Sequence, residues 1–256
     1  MTCSSILITG ASSGIGAALA RRYAGPGVRL TLWGRDAVRL AAVADACRAK
    51  GATIDVACFD LADLDRLTAE LTAADQASPL DLAILSAGLG GSLPARPAGQ
   101  DAAAVRAMAA VNFTAPVVMA NLLADRMAAR SAGRLVFIGS LAAAFPLPMA
   151  PLYAGTKAGL TVFAEALAIR LRPFGVGVTL VSPGFVDTPM SQSLSEPRPF
   201  LISADAAAAA IAAAVARGTG HLVLPWPFAL LRALSGLLPR RLLLAILSGI
   251  NRRFSR

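Results

Sequence analysis

The chain has 256 residues, of which 56% are hydrophobic and 15% charged, so its composition excludes an intrinsically disordered protein. This length suits one large domain or two small ones and is ample for a sizeable core. A net charge of +9 raises nucleic acid or an anionic membrane as a partner, although the position of the charge matters more than its total.

Short apolar runs alternate with alanine-rich helical patterns along residues 1–224. The predicted strands are 5–9, 28–33, 53–58, 81–85, 134–138, 176–181 and 221–224. The predicted helices are 14–24, 36–50, 63–75, 101–130 (as one helix or two), 152–172 and 203–217. Apolar strands that alternate with helices indicate a parallel sheet covered on both faces, so we expect one α/β domain with a doubly wound sheet of about seven strands.

The sequence changes character after residue 224. Residues 225–256 are apolar and arginine-rich, and Pro239 separates two predicted short helices. Residues 206–256 carry seven arginines and no acid, whereas residues 1–205 carry 17 basic and 15 acidic residues. The uncharged runs are too short to cross a bilayer. Three alternatives stay open for this C-terminal extension: it lies on an anionic membrane surface, it packs on a partner subunit or over the active site, or it is disordered.

Three glycines, Gly10, Gly14 and Gly16, follow the first predicted strand and open the first predicted helix. Glycine at such positions permits a tight turn and lets a pyrophosphate approach the backbone, while the helix N-terminus offers free N–H groups to the phosphates. The pattern predicts a dinucleotide site in a Rossmann fold.

The end of the second strand indicates which dinucleotide binds. Gly34 and Arg35 stand where an acidic residue would bind the adenosine ribose 2′-hydroxyl. An arginine there suits a 2′-phosphate, with which it forms charge-assisted hydrogen bonds. We therefore predict NADP(H) as the preferred cofactor. Asp36, the next residue, is acidic and leaves NAD(H) as the alternative.

Tyr153 and Lys157 are four residues apart on a predicted helix, so their side chains share one face. A phenol has an ordinary pKa near 10, which we expect the lysine ammonium and an oxidised nicotinamide to lower, making Tyr153 a general acid and base. Ser140 ends the fifth strand at the sheet edge where ligands bind, and its hydroxyl is placed to hydrogen-bond the substrate oxygen.

Together these residues resemble the short-chain dehydrogenase/reductase family. The matching landmarks are TGxxxGIG at Thr9 to Gly16, Asn112, Ser140, Tyr153-Ala-Gly-Thr-Lys157 and Pro183-Gly184. One landmark differs, because Leu85-Ser86-Ala87-Gly88 replaces the usual Asn-Asn-Ala-Gly and removes an amide that makes contacts within the sheet.

The resemblance implies catalytic roles for Asn112, Ser140, Tyr153 and Lys157. Asn112 would hold a water that links Lys157 to solvent, and Lys157 would also hold the nicotinamide ribose. The implied cofactor-binding residues are Gly10, Ser12, Ser13, Gly14, Ile15, Gly16, Arg35, Asp60, Leu61, Ser86, Ala87, Gly88, Tyr153, Lys157, Pro183, Gly184, Val186 and Thr188. Family members are commonly dimers or tetramers, so a homo-oligomer is expected.

The segments expected to flank the nicotinamide are apolar. They comprise 142–149 after Ser140, together with Phe185, Met190, Leu194 and Phe200; the charged exceptions are Asp187, Glu196 and Arg198. We therefore expect an NADP(H)-dependent oxidoreductase that interconverts a carbonyl and a secondary alcohol on a hydrophobic, lipid-like substrate. The alternative is a protein that binds NADP(H) and regulates a partner without turnover.

Cysteine and histidine usage sets the remaining expectations. Cys3, Cys47 and Cys58 form no CxxC pair, and His221 is the single histidine, which argues against a zinc site and a disulfide framework. The N-terminal residues lack a basic segment typical of a secretory signal. We predict no metal and no nucleic-acid partner, and a cytoplasmic protein with peripheral contact to the inner membrane face through residues 225–256.

Overall fold

The computed structural model describes residues 3–90, 101–194 and 197–235, together with Arg241 and Leu244. The strands are β1 (Ser5–Thr9), β2 (Arg29–Gly34), β3 (Thr53–Cys58), β4 (Leu82–Leu85), β5 (Arg134–Ile138), β6 (Gly177–Pro183), β7 (Val186–Asp187), β8 (Ile202–Ser203) and β9 (His221–Leu224). The helices are α1 (Gly14–Tyr23), α2 (Ala37–Arg48), α3 (Leu64–Ala77), α4 (Ala102–Ala109), α5 (Ala115–Ala129), α6 (Pro151–Leu171), α7 (Pro189–Gln192), α8 (Ala204–Ala216) and α9 (Trp226–Ser235).

Seven of these strands form one parallel sheet in the order β3-β2-β1-β4-β5-β6-β9, which confirms the predicted fold class. The strand order reverses beside β1, whose two neighbours are β2 and β4. In open α/β sheets such a reversal opens a crevice at the carboxyl ends of the strands. The Gly10 turn and Ser86 both lie at this crevice because they directly follow β1 and β4.

Helices cover both faces of the sheet, as the fully buried strands β1 and β4 require; the edge strand β3 is largely exposed. Successive side chains of a strand point to opposite faces. Ile6 and Ile8 accordingly pack in one buried cluster with α1, α2 and α8, whereas Leu7 belongs to a second cluster with α3, α5 and α6.

The predicted helix at 101–130 is two α-helices joined by a π-helical turn, Ala110–Thr114. By length and composition the continuous stretch Ala102–Ala129 is apolar enough to cross a membrane, but half of its most apolar window is buried inside the protein. We therefore assign its α5 part to the core of the domain, whereas α4 buries only Met108.

Three short elements after β6 were not predicted. β7 and β8 pair in parallel with two residues each, and α7 has four residues, so none is long enough to show a hydrophobic period. The first predicted helix of the C-terminal extension is observed as α9. The second, beyond Pro239, lies outside the described residues except for Arg241 and Leu244.

Candidate active site

A cavity of about 790 Å³ opens at the carboxyl ends of the strands of the large sheet. Every predicted cofactor-binding residue lines this cavity, and so does Ser140. These residues are far apart in the sequence but meet because each follows, or ends, a strand of one parallel sheet. Their individual roles stay predictions.

The glycine-rich turn leaves no room for side chains. Gly10 has a φ of +67° and Gly14 a φ of +54°, a left-handed conformation that favours glycine. A Cβ on Gly10 would lie 2.8 Å from the Cα of Ala87, and one on Gly16 would collide with the carbonyl oxygen of Gly10. The turn therefore packs directly against the segment after β4 and exposes its backbone and the start of α1 to the cavity.

The segment that departs from the family pattern is still tied to the sheet. The Thr9 hydroxyl oxygen accepts hydrogen bonds from the backbone N–H groups of Ser86, at 3.0 Å, and Ala87, at 3.1 Å. These two bonds hold the carboxyl end of β4 to that of β1. Replacing the usual first asparagine with Leu85 and the second with Ser86 therefore leaves this edge of the cavity connected.

Two arginines lie at the β2 end of the cavity, of which only Arg35 was predicted. Arg35 is 3.8 Å from the carboxylate of Asp60, and Arg39 donates from Nε to Asp36 at 2.6 Å. Asp36 also caps α2 by accepting a bond from the Arg39 backbone N–H. This backbone bond and then the Arg39 side chain lower the pKa of Asp36. The Asp36 carboxylate is thus bound by its own helix. Arg39 was not predicted, although its position four residues after Arg35 could have indicated it.

Ser140 and Tyr153 both line the cavity beyond the end of β5. The Ser140 hydroxyl oxygen accepts a hydrogen bond from the Ala142 backbone N–H at 3.1 Å, which starts a short 3₁₀ turn. Burial raises the pKa of Tyr153, while a hydrogen bond with the Ser140 side chain acts in the opposite direction. The expectation of a lowered tyrosine pKa is therefore wrong for the protein alone, because burial is the largest effect.

Lys157 is buried in the second turn of α6, with 4% of its surface exposed. Its Nζ donates to the carbonyl oxygen of Ile138 at 2.8 Å. Burial lowers the pKa of Lys157 from 10.5 to about 8, so the amine is still largely protonated at neutral pH. A Cβ added to Gly88 would lie 3.5 Å from this Nζ, so the glycine leaves space beside the ammonium.

Asn112 lies in the π-helical turn and is completely buried. Its amide clamps the backbone of Leu89: Oδ1 accepts from the N–H at 2.7 Å and Nδ2 donates to the C=O at 2.8 Å. π-helical turns recur at functional sites because they reorient a side chain within a helix. Asn112 does not itself line the cavity, and the clamp positions the segment after β4 that does. A water held by Asn112 stays a prediction.

The far end of the cavity is apolar. Its predicted lining residues are Ala142, Phe145, Leu147, Met149, Phe185, Met190 and Leu194, and α9 adds Leu231. Phe200 does not line it; its ring packs on Phe228 with centroids 5.5 Å apart. Asp187 and Arg198 also lie off the cavity wall and pair with each other at 3.6 Å. Glu196 lies outside the described residues.

Comparison with known proteins places these observations in a family. A family model described as short chain dehydrogenase matches residues 4–199. An uncharacterized oxidoreductase of Myxococcus xanthus is 32% identical over 243 residues, which cover 94% of this chain and 95% of the relative.

Two solved structures are similar over almost the whole chain. A short-chain dehydrogenase from Sphingobium yanoikuyae in complex with NADPH has a TM-score of 0.81 and 29% identity, covering 91% of this chain and 94% of its own. A bulky-bulky ketone specific alcohol dehydrogenase from Comamonas testosteroni has a TM-score of 0.79 and 29% identity, covering 93% and 94%.

Proposed function

The chain belongs to the short-chain dehydrogenase family, and we propose that it is an NADP(H)-dependent oxidoreductase that interconverts a hydrophobic ketone and its secondary alcohol. The observation that carries this proposal is the meeting of Ser140, Tyr153 and Lys157 in one cavity whose far end is apolar. Polar groups are concentrated where a reacting oxygen would lie, and apolar walls surround the space beyond it.

The cavity fits a dinucleotide. The backbone at Gly10 and Gly16 is packed too closely for a Cβ, which leaves a smooth cradle, and the first residues of α1 turn their free N–H groups toward it. Ser12, Ser13 and Gly14 would hold the pyrophosphate there. When bound, the nicotinamide supplies or accepts the hydride.

The β2 end of the cavity favours a 2′-phosphate. The Arg35 and Arg39 guanidinium groups both line the cavity and are about half exposed, so they are accessible to a phosphate. Asp36 would repel such a group, but its carboxylate already accepts from the backbone and side chain of Arg39. The complex of the Sphingobium relative with NADPH supports the same preference.

The proton steps fall to the residues at the end of β5 and on α6. In ketone reduction, Tyr153 Oη donates its proton to the carbonyl oxygen as hydride reaches the carbonyl carbon, and in alcohol oxidation it accepts the proton back. The Ser140 hydroxyl donates a hydrogen bond to the same oxygen and stabilises its developing negative charge. The protonated Lys157 lies one helical turn from Tyr153 and stabilises the phenolate that remains.

The apolar end of the cavity supports a hydrophobic substrate. Phe145, Leu147 and Phe185 offer no charged group that would recognise a sugar or an acid. The Comamonas relative, described as specific for bulky-bulky ketones, supports a ketone with two large substituents.

A substrate panel tests this proposal. The purified protein is assayed with bulky aromatic ketones, aliphatic ketones and small charged sugars, each with NADPH and with NADH, and in reverse with the alcohols and NADP⁺. We expect turnover of the apolar ketones and a lower KM for NADPH than for NADH. Activity confined to charged sugars would overturn the substrate class, and equal KM values for the two cofactors would overturn the cofactor preference.

A further inference from the structure

The helix α9 is held on the domain by its inner face. Phe228 on this face is buried, and its ring packs edge to face on Phe185 and Phe200 with centroids 6.4 and 5.5 Å apart. Arg232, one turn further on, lies 3.6 Å from the carboxylate of Glu165 and 2.9 Å from Nδ1 of His221. Arg232, the charged residue of α9, therefore points toward the rest of the domain.

The outer face of α9 carries large apolar side chains. Trp226 is 75% exposed and Leu230 is 55% exposed. The two are four residues apart and share a face, while Phe228 lies two residues from each, about 200° around the helix axis. A surface helix normally turns its polar residues to solvent and its apolar residues inward. In α9, the arginine faces inward and the tryptophan outward.

This outer face adjoins the mouth of the catalytic cavity. Leu231 is 47% exposed and also lines the cavity, and Met190 does the same at 38% exposure. Phe200, which packs on α9 through Phe228, is 59% exposed. We call Phe200, Trp226, Leu230 and Leu231 the apolar rim.

The charge of the chain is concentrated next to the apolar rim in the sequence. Residues 206–256 contain seven arginines and no acid; Arg232 is turned toward Glu165, whereas Arg241 is exposed. An exposed apolar helix face accompanied by arginines is the combination that binds the interface of an anionic bilayer, where apolar side chains enter the acyl boundary and cations meet lipid headgroups.

The alternative occupant of the apolar rim is a second copy of this chain. A two-fold contact through α9 would bring the two arginine-rich, acid-free segments together, since such a contact uses the same surface on both copies. Like charges brought together oppose association. The charge therefore favours an anionic surface over self-association.

We propose that the apolar rim docks this protein on an anionic lipid surface with the mouth of its cavity beside the membrane. An apolar ketone dissolved in the bilayer would then reach the cavity without crossing bulk water. The docking is independent of the proposed reaction, because it uses residues that take no part in proton or hydride transfer.

Vesicle flotation with the full chain tests the docking. The probes are vesicles of phosphatidylcholine alone and vesicles that also contain phosphatidylglycerol. We expect binding to the anionic vesicles to be about tenfold stronger and to weaken as salt is raised. Leu230→Ser should weaken binding about fivefold, and Trp226→Ser with Leu230→Ser more strongly. The matched control is Val38→Ser on α2, which also replaces an exposed aliphatic residue, at 81% exposure, and should bind as wild type.

Three results would overturn the proposal: equal binding to neutral and anionic vesicles, undiminished binding of the double variant, or an equal loss with Val38→Ser. Absence of vesicle binding combined with a wild-type dimer that Leu230→Ser dissociates in sedimentation velocity would instead assign the rim to a second copy. Circular dichroism shows that each variant is folded. NADPH oxidation with a water-soluble ketone, measured without vesicles, reports on the reaction separately, so failure of docking and failure of the proposed function are distinguishable.

Discussion

The two polar parts of the cavity, the catalytic end and the β2 end, differ in how far their polar side chains are buried. At the catalytic end, Lys157 and Asn112 are buried, and backbone atoms of Ile138 and Leu89 satisfy their polar atoms. At the β2 end, which we call the adenosine end because the cofactor's adenosine is proposed to bind there, the side chains of Arg35 and Asp60 are 56% and 51% exposed. They lie 3.8 Å apart. In the proposed reaction, buried groups of fixed geometry serve the chemistry, whereas exposed charges select the cofactor. Substitutions at the catalytic end should therefore remove activity, and those at the adenosine end should shift the preference between NADPH and NADH.

The sharpest break is expected at Lys157. Lys157→Met keeps the volume but removes the ammonium to which the proposed mechanism assigns stabilisation of the tyrosinate and binding of the nicotinamide ribose, so kcat/KM for ketone reduction should fall by about 10²- to 10⁴-fold. Steady-state kinetics with NADPH measure this loss. Retention of more than half of the wild-type kcat/KM would show that the ammonium is not needed.

The same substitution should change how stability depends on pH. The folded pKa of Lys157 is about 8, below its ordinary 10.5, so the folded protein binds fewer protons than the unfolded chain between these values. Burial of Lys157 therefore costs the folded state no stability above pH 10.5, where the amine is neutral in both states. The cost grows as the pH falls from 10.5 and is complete once the pH has passed 8. This drop in pKa corresponds to about 3 kcal/mol.

Urea unfolding of the cofactor-free protein measures this effect. The free energy of unfolding of wild type minus that of Lys157→Met should rise by up to about 3 kcal/mol from pH 8 to pH 10.5, since subtraction cancels the other titrating groups. A difference that stays flat over this range would contradict a lowered lysine pKa.

At the adenosine end, we expect a change of cofactor preference without loss of the fold. Arg35→Ser combined with Arg39→Ser removes the charged donors for a 2′-phosphate, so KM for NADPH should rise about 10- to 100-fold while KM for NADH changes little. Initial rates with each cofactor measure this ratio. Arg48→Ser is the matched control, because Arg48 also pairs with a carboxylate on α2 but does not line the cavity. An equal rise for both cofactors would place the arginines outside 2′-phosphate recognition.

The smallest effect is expected at the apolar end. Leu231→Ala enlarges the mouth of the cavity and removes part of the apolar wall, so KM for a bulky ketone should rise about three- to tenfold while that for a small ketone changes less. Leu230→Ala is the control, since Leu230 is the adjacent leucine of α9 but does not line the cavity. The same KM change in both variants would mean that Leu231 acts only through the stability of α9.

Local pattern was sufficient to predict most of the fold. Apolar strands and alanine-rich helices alternate regularly, and a parallel sheet brings every segment that follows a strand to one edge, so residues as distant as Gly10 and Gly184 meet in one cavity. β7 and β8 escaped prediction because two residues show no period.

Features that depend on three-dimensional surroundings could not be predicted from the sequence. In the protein without cofactor, burial raises the pKa of Tyr153, an effect that a sequence motif does not reveal because desolvation depends on the packing around the side chain. Asn112 matches a motif position, yet its amide clamps the Leu89 backbone instead of lining the cavity. Leu231 reaches the cavity from α9, which Phe228 and Arg232 anchor on the domain.

The most direct test of Tyr153 as the proton donor is single-turnover hydride transfer in Tyr153→Phe, measured together with NADPH binding. We predict that the dissociation constant for NADPH stays within about threefold of wild type, while reduction of an apolar ketone by bound NADPH slows by about 10²- to 10⁴-fold. Hydride transfer at the wild-type rate in Tyr153→Phe would contradict the account.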